Sequence, residues 1–557
     1  MTKFVIGTLV LSASLCGCAG KPSPKPESSA AIQEPTLFEG MGRYHRPVST
    51  SFAEAQRYFD QGMVWMFAFN HDEAIRSFKH AARLDPQCAM AWWGVALCNG
   101  PHINKPGMEP DQNTAAWDAL RNAIALRRNA SPSEQALIDA LAHRYAASPP
   151  ADRSSLDRAY ADAMRKLWSA DQTDADVATL FAESLMDLRP WDLWTIEGRP
   201  REGTEEIVSV LERALAINPD HPAANHLLIH AVEASADPAR ANAAAERLRT
   251  LVPASGHLVH MPSHIDVRTG RWALAAESNE AALRVDSAYR RLSPKQGFYR
   301  LYMAHNHHFL SYVSMMEGRS ERAIRAARDM IAGVPPEFIR SNAPLIDPYM
   351  GIEIEALKRF GKWDEILALP QPPRSLPITR AHWSFARGVA LAAKGQIDDA
   401  RREQQRCRAF AAAVPKDAMM AINKAADILA IADLVLDAEI AYAQGNDNVA
   451  ITRLRDATAI EDRLIYMEPP EWMLPVRHTL GAVLLVAGKP QEAEQEYRED
   501  LRRWPENGWS LFGLARALRA QGRDSEASEI DTRFARAWAR ADTEINASCL
   551  CVKHATN

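Results

Sequence analysis

Two pairs of histidines stand at i, i+4 spacing in this 557-residue chain: His226 and His230 in NHLLIH, and His260 and His264 in HMPSH. The pairs lie 34 residues apart. With Ala241, Ala275 and Ala323 as the equivalent small residues of three successive units, His226, His260 and His308 each precede theirs by 15 residues, and His230 and His264 by 11. An i, i+4 pair shares one helix face, so equal offsets place the pairs on equivalent faces of neighbouring helices. His305, three residues before His308, shares that third face. Several imidazoles looking into one space are the makings of a transition-metal site, and imidazole suits zinc, copper, iron and nickel alike. Glu233, one turn beyond His230, and Glu183, from LFAESLMDL, are the candidates for a further ligand, an outer partner or a general base.

The second pair sits in HLVHMPSHIDVRTGRW, His257 to Trp272, with Pro262 where the first pair has Leu228. Inside a helix a proline costs roughly 3 kcal/mol, because it removes an N–H and presses on the carbonyl four residues back. Two readings stay open. A kink re-aims His264 relative to His260 and frees the Leu258 carbonyl; or the helix begins late, with Pro262 in its first turn, where proline is tolerated.

The elements that must carry these residues are helices. In YFDQGMVWMFAFNHDEAIRSFKHAARLDP, Gly62, Ala74, Phe78, Ala81 and Pro86 stand at offsets of 12, 4, 3 and 5, and the same offsets return at Gly481, Ala493, Tyr497, Asp500 and Pro505. Ala527 follows Ala493 by 34. This pattern resembles the tetratricopeptide (TPR) repeat. The resemblance implies an all-α solenoid of helical hairpins in a right-handed superhelix over residues 46–545, with the first helix of each pair lining the concave side. Two stretches interrupt the register, residues 99–113 and 188–203; they hold His102, Asn104, Trp191 and Trp194, and are expected to be ordered lids.

The N-terminus has an early lysine, an apolar run from Phe4 to Leu15 and the residues LCGC. Such a run is a signal-peptide core, too short to span a bilayer. Leu15 to Cys18 resemble the bacterial lipobox, which implies a signal peptide over 1–17, lipidation of Cys18 and a location in the cell envelope. By likeness to enteric lipoproteins, Ala19 after the anchor implies the outer membrane, facing the periplasm. Residues 18–45 read as a flexible tether and 546–557 as a polar tail. The other cysteines, Cys88, Cys98, Cys407, Cys549 and Cys551, are odd in number, and a large helical array needs no staples.

Hydrophobic residues make up 47% and charged residues 24% of the chain, with a net charge of −5 and no basic stripe, so nucleic acid is not an expected partner. No phosphate-binding loop, dinucleotide fingerprint, HExxH or nucleophile elbow occurs. The first functional reading is a membrane-anchored repeat protein whose groove holds a peptide or protein, with Trp472, Arg477, His478 and Trp509 as contact candidates. The alternative is a metal-dependent enzyme or metal-binding protein using the histidines. The first expects an open, wet concavity, the second a closed pocket lined by His226, His230, His260, His264 and His308.

Overall fold

The computed structural model describes residues 35–293 and 295–552. Cys16, Cys18, the signal peptide, nearly all of the tether before Thr36 and the last five residues lie outside them. Antiparallel helices follow one another from Ala53 to Ala537 in a TPR-like solenoid. Among the described residues the strands are the two-residue pair Met419–Met420 and Asn423–Lys424.

The repeat signature is a packing device. Phe78 fills the space between the helices of Gly62 and Gly94, and a Cβ added at either glycine would come within 2.6–2.7 Å of its ring. Tyr497 is wedged in the same way between Gly481 and Gly513. Large-into-small packing lets neighbouring helices approach, and each hairpin buries its apolar face on the next.

The concavity does not stay open. The first repeat reaches the middle of the array, where Glu73 accepts from the Tyr289 hydroxyl at 2.8 Å and the Ser293 hydroxyl at 2.7 Å. From the other end, Trp272 Nε1 donates to the Pro505 carbonyl at 2.8 Å, and Trp509 Nε1 to the Met315 carbonyl at 2.9 Å. The two ends of the solenoid therefore both pack on its middle third.

This closure changes several expectations. Trp509 is 0% exposed and carries the Arg359 guanidinium 3.4 Å above its ring. Trp472 is buried against Phe385, Arg477 is paired with Asp462 and Glu496, and His478 is held by Asp500 and Arg359. These four hold the array together and present no free surface to a partner. The stretch expected to be tether packs from Thr36 onward: Phe38 meets Trp65 edge to face at 5.2 Å, and the Tyr44 hydroxyl donates to Asp176 at 2.7 Å. The expected tail docks as well, since Ser548 donates to the His478 carbonyl at 2.6 Å and Cys549 is disulfide-bonded to Cys551.

Candidate metal centre

Three helical segments and one loop glutamate build the site. Helix Pro222–Val232 starts with proline at its first position and is capped by the His221 ring, which accepts from the Ala224 N–H at 3.1 Å; it carries His226 and His230. The second segment is broken. Gly256–His260 and Pro262–Arg268 are two short helices joined through Met261, whose own backbone is helical. Pro262 is the first residue of the second, the first-turn position where proline is tolerated, although a short helix already precedes it. His264 N–H donates to the Met261 carbonyl, one residue short of the helical partner, and the His260 carbonyl takes the Ser263 hydroxyl at 2.7 Å. Helix Arg300–Met316 brings His305.

His226, His230, His257, His260 and His264 are at most 7% exposed. They form two triads with His305: His226, His230 and His257 in one, His260, His264 and His305 in the other, with the ligating atoms of each triad within 4.8 Å of one another. Acceptors fix the ring orientation. His226 Nδ1 faces the Phe67 carbonyl oxygen at 2.8 Å, His230 Nδ1 faces Glu233 Oε1 at 3.1 Å, and His260 Nδ1 faces Asn279 Oδ1 at 2.8 Å. The Asn279 amide nitrogen donates to the Ala275 carbonyl, which leaves its oxygen for His260. His264 Nδ1 lies 2.6 Å from Glu233 Oε2 and 3.2 Å from Glu468 Oε2. Where Nδ1 is so held, at His226 and His260, the Nε2 atom turns toward a second imidazole. The Nε2 atoms meet in pairs, His226 with His257 at 3.2 Å and His260 with His264 at 2.9 Å. Two ligands about 2.0–2.1 Å from one ion stand roughly 2.9–3.4 Å apart at angles between 90° and 109°. Both pairs fit that spacing.

Glu233 links the halves, because its two oxygens serve one imidazole of each triad. Burial alone would raise its pKa, but His264 and His230 hold it down to about 2. Burial pushes Glu468 up to about 8, so of the two carboxylates at His264 it is Glu233 that carries the charge. Burial opposes the charged form of His264 too, yet these carboxylates raise it to about 10. Burial, with the neighbouring imidazoles, drives His226, His257, His260 and His305 well below the ordinary histidine value. They are kept neutral, the form that binds metal.

Two aromatic residues beside the imidazoles adopt left-handed backbone, Phe69 at φ 56° and Trp191 at φ 61°. Each costs of order 1–3 kcal/mol, a strain that persists where the surroundings impose it. The Phe69 ring centroid is 4.6 Å from that of His226, and Trp191 packs on His230 at 5.2 Å. The two interrupting loops meet here. Trp191 Nε1 donates to Asn104 Oδ1 at 3.1 Å, and Asn104 Nδ2 donates to the Tyr302 hydroxyl at 3.0 Å. Both residues border a cavity of about 250 Å³ that is also lined by His230, His257, His264 and His305.

Of the residues singled out by spacing, His308 lies one turn beyond His305, where it packs on Tyr349 at 5.6 Å and lines the cavity without joining a triad. Glu183 is buried beside Arg144 and Asp187, where burial raises its pKa, and it belongs neither to the triads nor to the lining of the cavity. His257, Glu468 and Asn279 complete the site and were not singled out. His257 had a local signal, three residues before His260; Glu468 and Asn279 had none.

The buried imidazoles set a pH dependence in the metal-free protein. They stay neutral in the fold, while the unfolded chain takes up protons near pH 6.5, so stability falls as pH drops below that value, by about 2 kcal/mol at pH 5 for each that resists protonation. The raised His264 works oppositely: its contribution is full below about 6.5 and is lost as pH rises toward 10. Urea midpoints measured with chelator are therefore expected to be clearly lower at pH 5 than at pH 7. A flat profile between them would contradict the neutral, buried state of the cluster.

No family model matches the chain, and no curated protein matches it. Solved helical-repeat structures do align with it. The human IFIT1 dimer with m7Gppp-AAAA is 14% identical over 87% of this chain and 90% of that one, with a TM-score of 0.31. The APC/C hetero-tetramer Cut9–Hcn1 is 13% identical over 87% and 76%, with a TM-score of 0.29. At such scores the likeness carries no argument about this chain's ligands, and the RNA bound by IFIT1 is a property of that protein.

Proposed function

We propose that this protein is an envelope metalloenzyme, anchored through lipidated Cys18, that holds two transition-metal ions on the triads His226, His230, His257 and His260, His264, His305 and acts on a small molecule in the adjoining cavity. The observation that carries this reading is the gathering of six imidazoles into two triads, with the Nε2 atoms of His226 and His257 at 3.2 Å and those of His260 and His264 at 2.9 Å. In the metal-free protein each pair shares a proton, and its spacing also suits two ligands of one cation. The all-nitrogen donor set suits copper, zinc, nickel or iron, and among divalent ions copper binds such sites most strongly. An ion with three protein ligands keeps a position open for substrate or water and supplies Lewis-acid or redox chemistry there.

The protein's own groups have definite tasks. Glu233 orients His230 and His264 together, so it positions ligands, and it also lines the cavity. Asn279 and the Phe67 carbonyl do the same for His260 and His226. Phe69 and Trp191 cover the imidazoles and exclude water. A peptide-binding groove is the weaker reading, because the concave side is closed and its expected contact residues are buried.

Titration of metal-free protein with Co²⁺ tests the reading. Visible d–d absorption saturating near two equivalents supports it, whereas an aqueous-like spectrum without saturation counts against it. Membrane fractionation tests the anchor. The Cys18→Ala variant is expected in the soluble fraction, and unchanged membrane association would remove Cys18 from the account.

A further inference from the structure

The cavity has a second set of polar groups, outside the triads. His308 Nδ1, His382 Nε2, Glu355 Oε1 and Glu471 Oε1 are buried there without a hydrogen-bond partner among the described residues, and all four residues line the cavity. One turn of chain gathers them. Tyr349 packs on His308 at 5.6 Å and feels the Glu471 charge, a Cβ on Gly351 would lie 3.7 Å from His382 Nδ1, and His382 is 3.8 Å from Glu355. Buried polar atoms are almost always satisfied in native proteins, so four orphans on one wall ask for a ligand.

Their chemistry specifies which. Carboxylate oxygens only accept, and a neutral imidazole can accept at its bare nitrogen. Lys358 already pairs with Glu355 Oε2 at 2.9 Å, and Asn423 donates to Glu471 Oε2 at 3.0 Å, which leaves one oxygen of each carboxyl without a partner among the described residues. Arg300, the arginine of the lining, is held by Gln296 at 3.2 Å. A ligand acid would meet carboxylates here; an ammonium brings donors and no acceptors, together with the charge that a buried carboxylate lacks. Much of the remaining wall is apolar and adaptable, with Phe298, Tyr302, Met330, Met467 and Met473.

We propose that the cavity takes an apolar or aromatic monoamine, its ammonium group against Glu471, Glu355, His308 and His382 and its body reaching toward the triads. This rests on the metal-site reading for the direction of the substrate, though not for the amine end itself. Burial pushes the Glu471 carboxyl up to about 7, and an ammonium beside it holds it ionised. Tyr349 adds a ring face to the cation.

Calorimetric titration of three probes with one aromatic body tests this: tyramine, 4-ethylphenol and 3-(4-hydroxyphenyl)propionate, each against zinc-loaded and metal-free protein. Tyramine is expected to bind about tenfold or more tightly than 4-ethylphenol in both forms, with the acid weakest. Glu471→Gln should bring tyramine down to the level of 4-ethylphenol while metal content and melting temperature stay as in wild type; Glu355→Gln serves if that variant does not fold. Equal affinities, tightest binding of the acid, no binding of any probe at millimolar concentration, or full tyramine preference in both variants would each overturn the proposal. A protein that prefers tyramine but holds no metal keeps the amine site and loses the metal reading. Two bound ions without tyramine preference do the reverse.

Discussion

His226→Ala is expected to retain one metal ion and His260→Ala the other, so that each variant, dialysed and analysed for metal, carries about half the wild-type content. Each histidine belongs to only one triad, and removing it leaves two imidazoles where catalytic sites use three protein ligands. The cost exceeds the roughly 10–100-fold in affinity that follows loss of an outer partner. Glu233→Gln is the companion case. Its carboxylate touches His230 in one triad and His264 in the other, at 3.1 and 2.6 Å, so this one change weakens both ions, each by roughly 10–100-fold. If His226→Ala and His260→Ala kept full metal content, or if Glu233→Gln affected one ion alone, the assignment of two triads linked by Glu233 would fail.

The second large effect is on stability. Trp509→Ala is expected to cost about 3–5 kcal/mol, the range for removing a fully buried large aromatic side chain. The ring is 0% exposed, packs edge to face on Trp538 at 5.1 Å, and ties the C-terminal repeats to the Met315 carbonyl. It also covers Arg359, a buried guanidinium whose pKa burial drives far down and whose other partner is His478 at 3.1 Å. Without the ring, Arg359 loses a cation–π partner at a desolvated position, which places the cost toward the upper end. Urea unfolding followed by circular dichroism measures it. A loss under about 1 kcal/mol would show that closure of the array does not depend on this contact.

The helices were legible because the repeat writes its packing into single residues: Gly62 and Phe78 at one end, Gly481 and Tyr497 at the other. The histidine pairs were legible for the same reason, since a fixed period converts equal offsets into equal faces. His308 shows where that logic stops. Register gives the face of a helix but not how far along it the neighbouring triad lies, and His305, one turn earlier, is the residue in reach. Glu468 comes from the far end of the chain and reaches His264 only because the solenoid closes on itself. The same closure turned Trp472, Arg477, His478 and Trp509 from expected contact residues into interior ones. Closure depends on particular long-range bonds, such as Trp272 with Pro505 and Glu73 with Tyr289, and no local pattern announces them.

Elemental analysis of wild-type protein, purified without chelator, affinity-tag metal or added ions, tests the central claim most directly. The account predicts close to two equivalents of one transition metal per chain, with chelation lowering the melting temperature and readdition restoring it, as expected for a ligand that binds only the fold. Well under one equivalent of any transition metal, together with no gain in stability from added Zn²⁺, Cu²⁺, Ni²⁺ or anaerobic Fe²⁺, would contradict it.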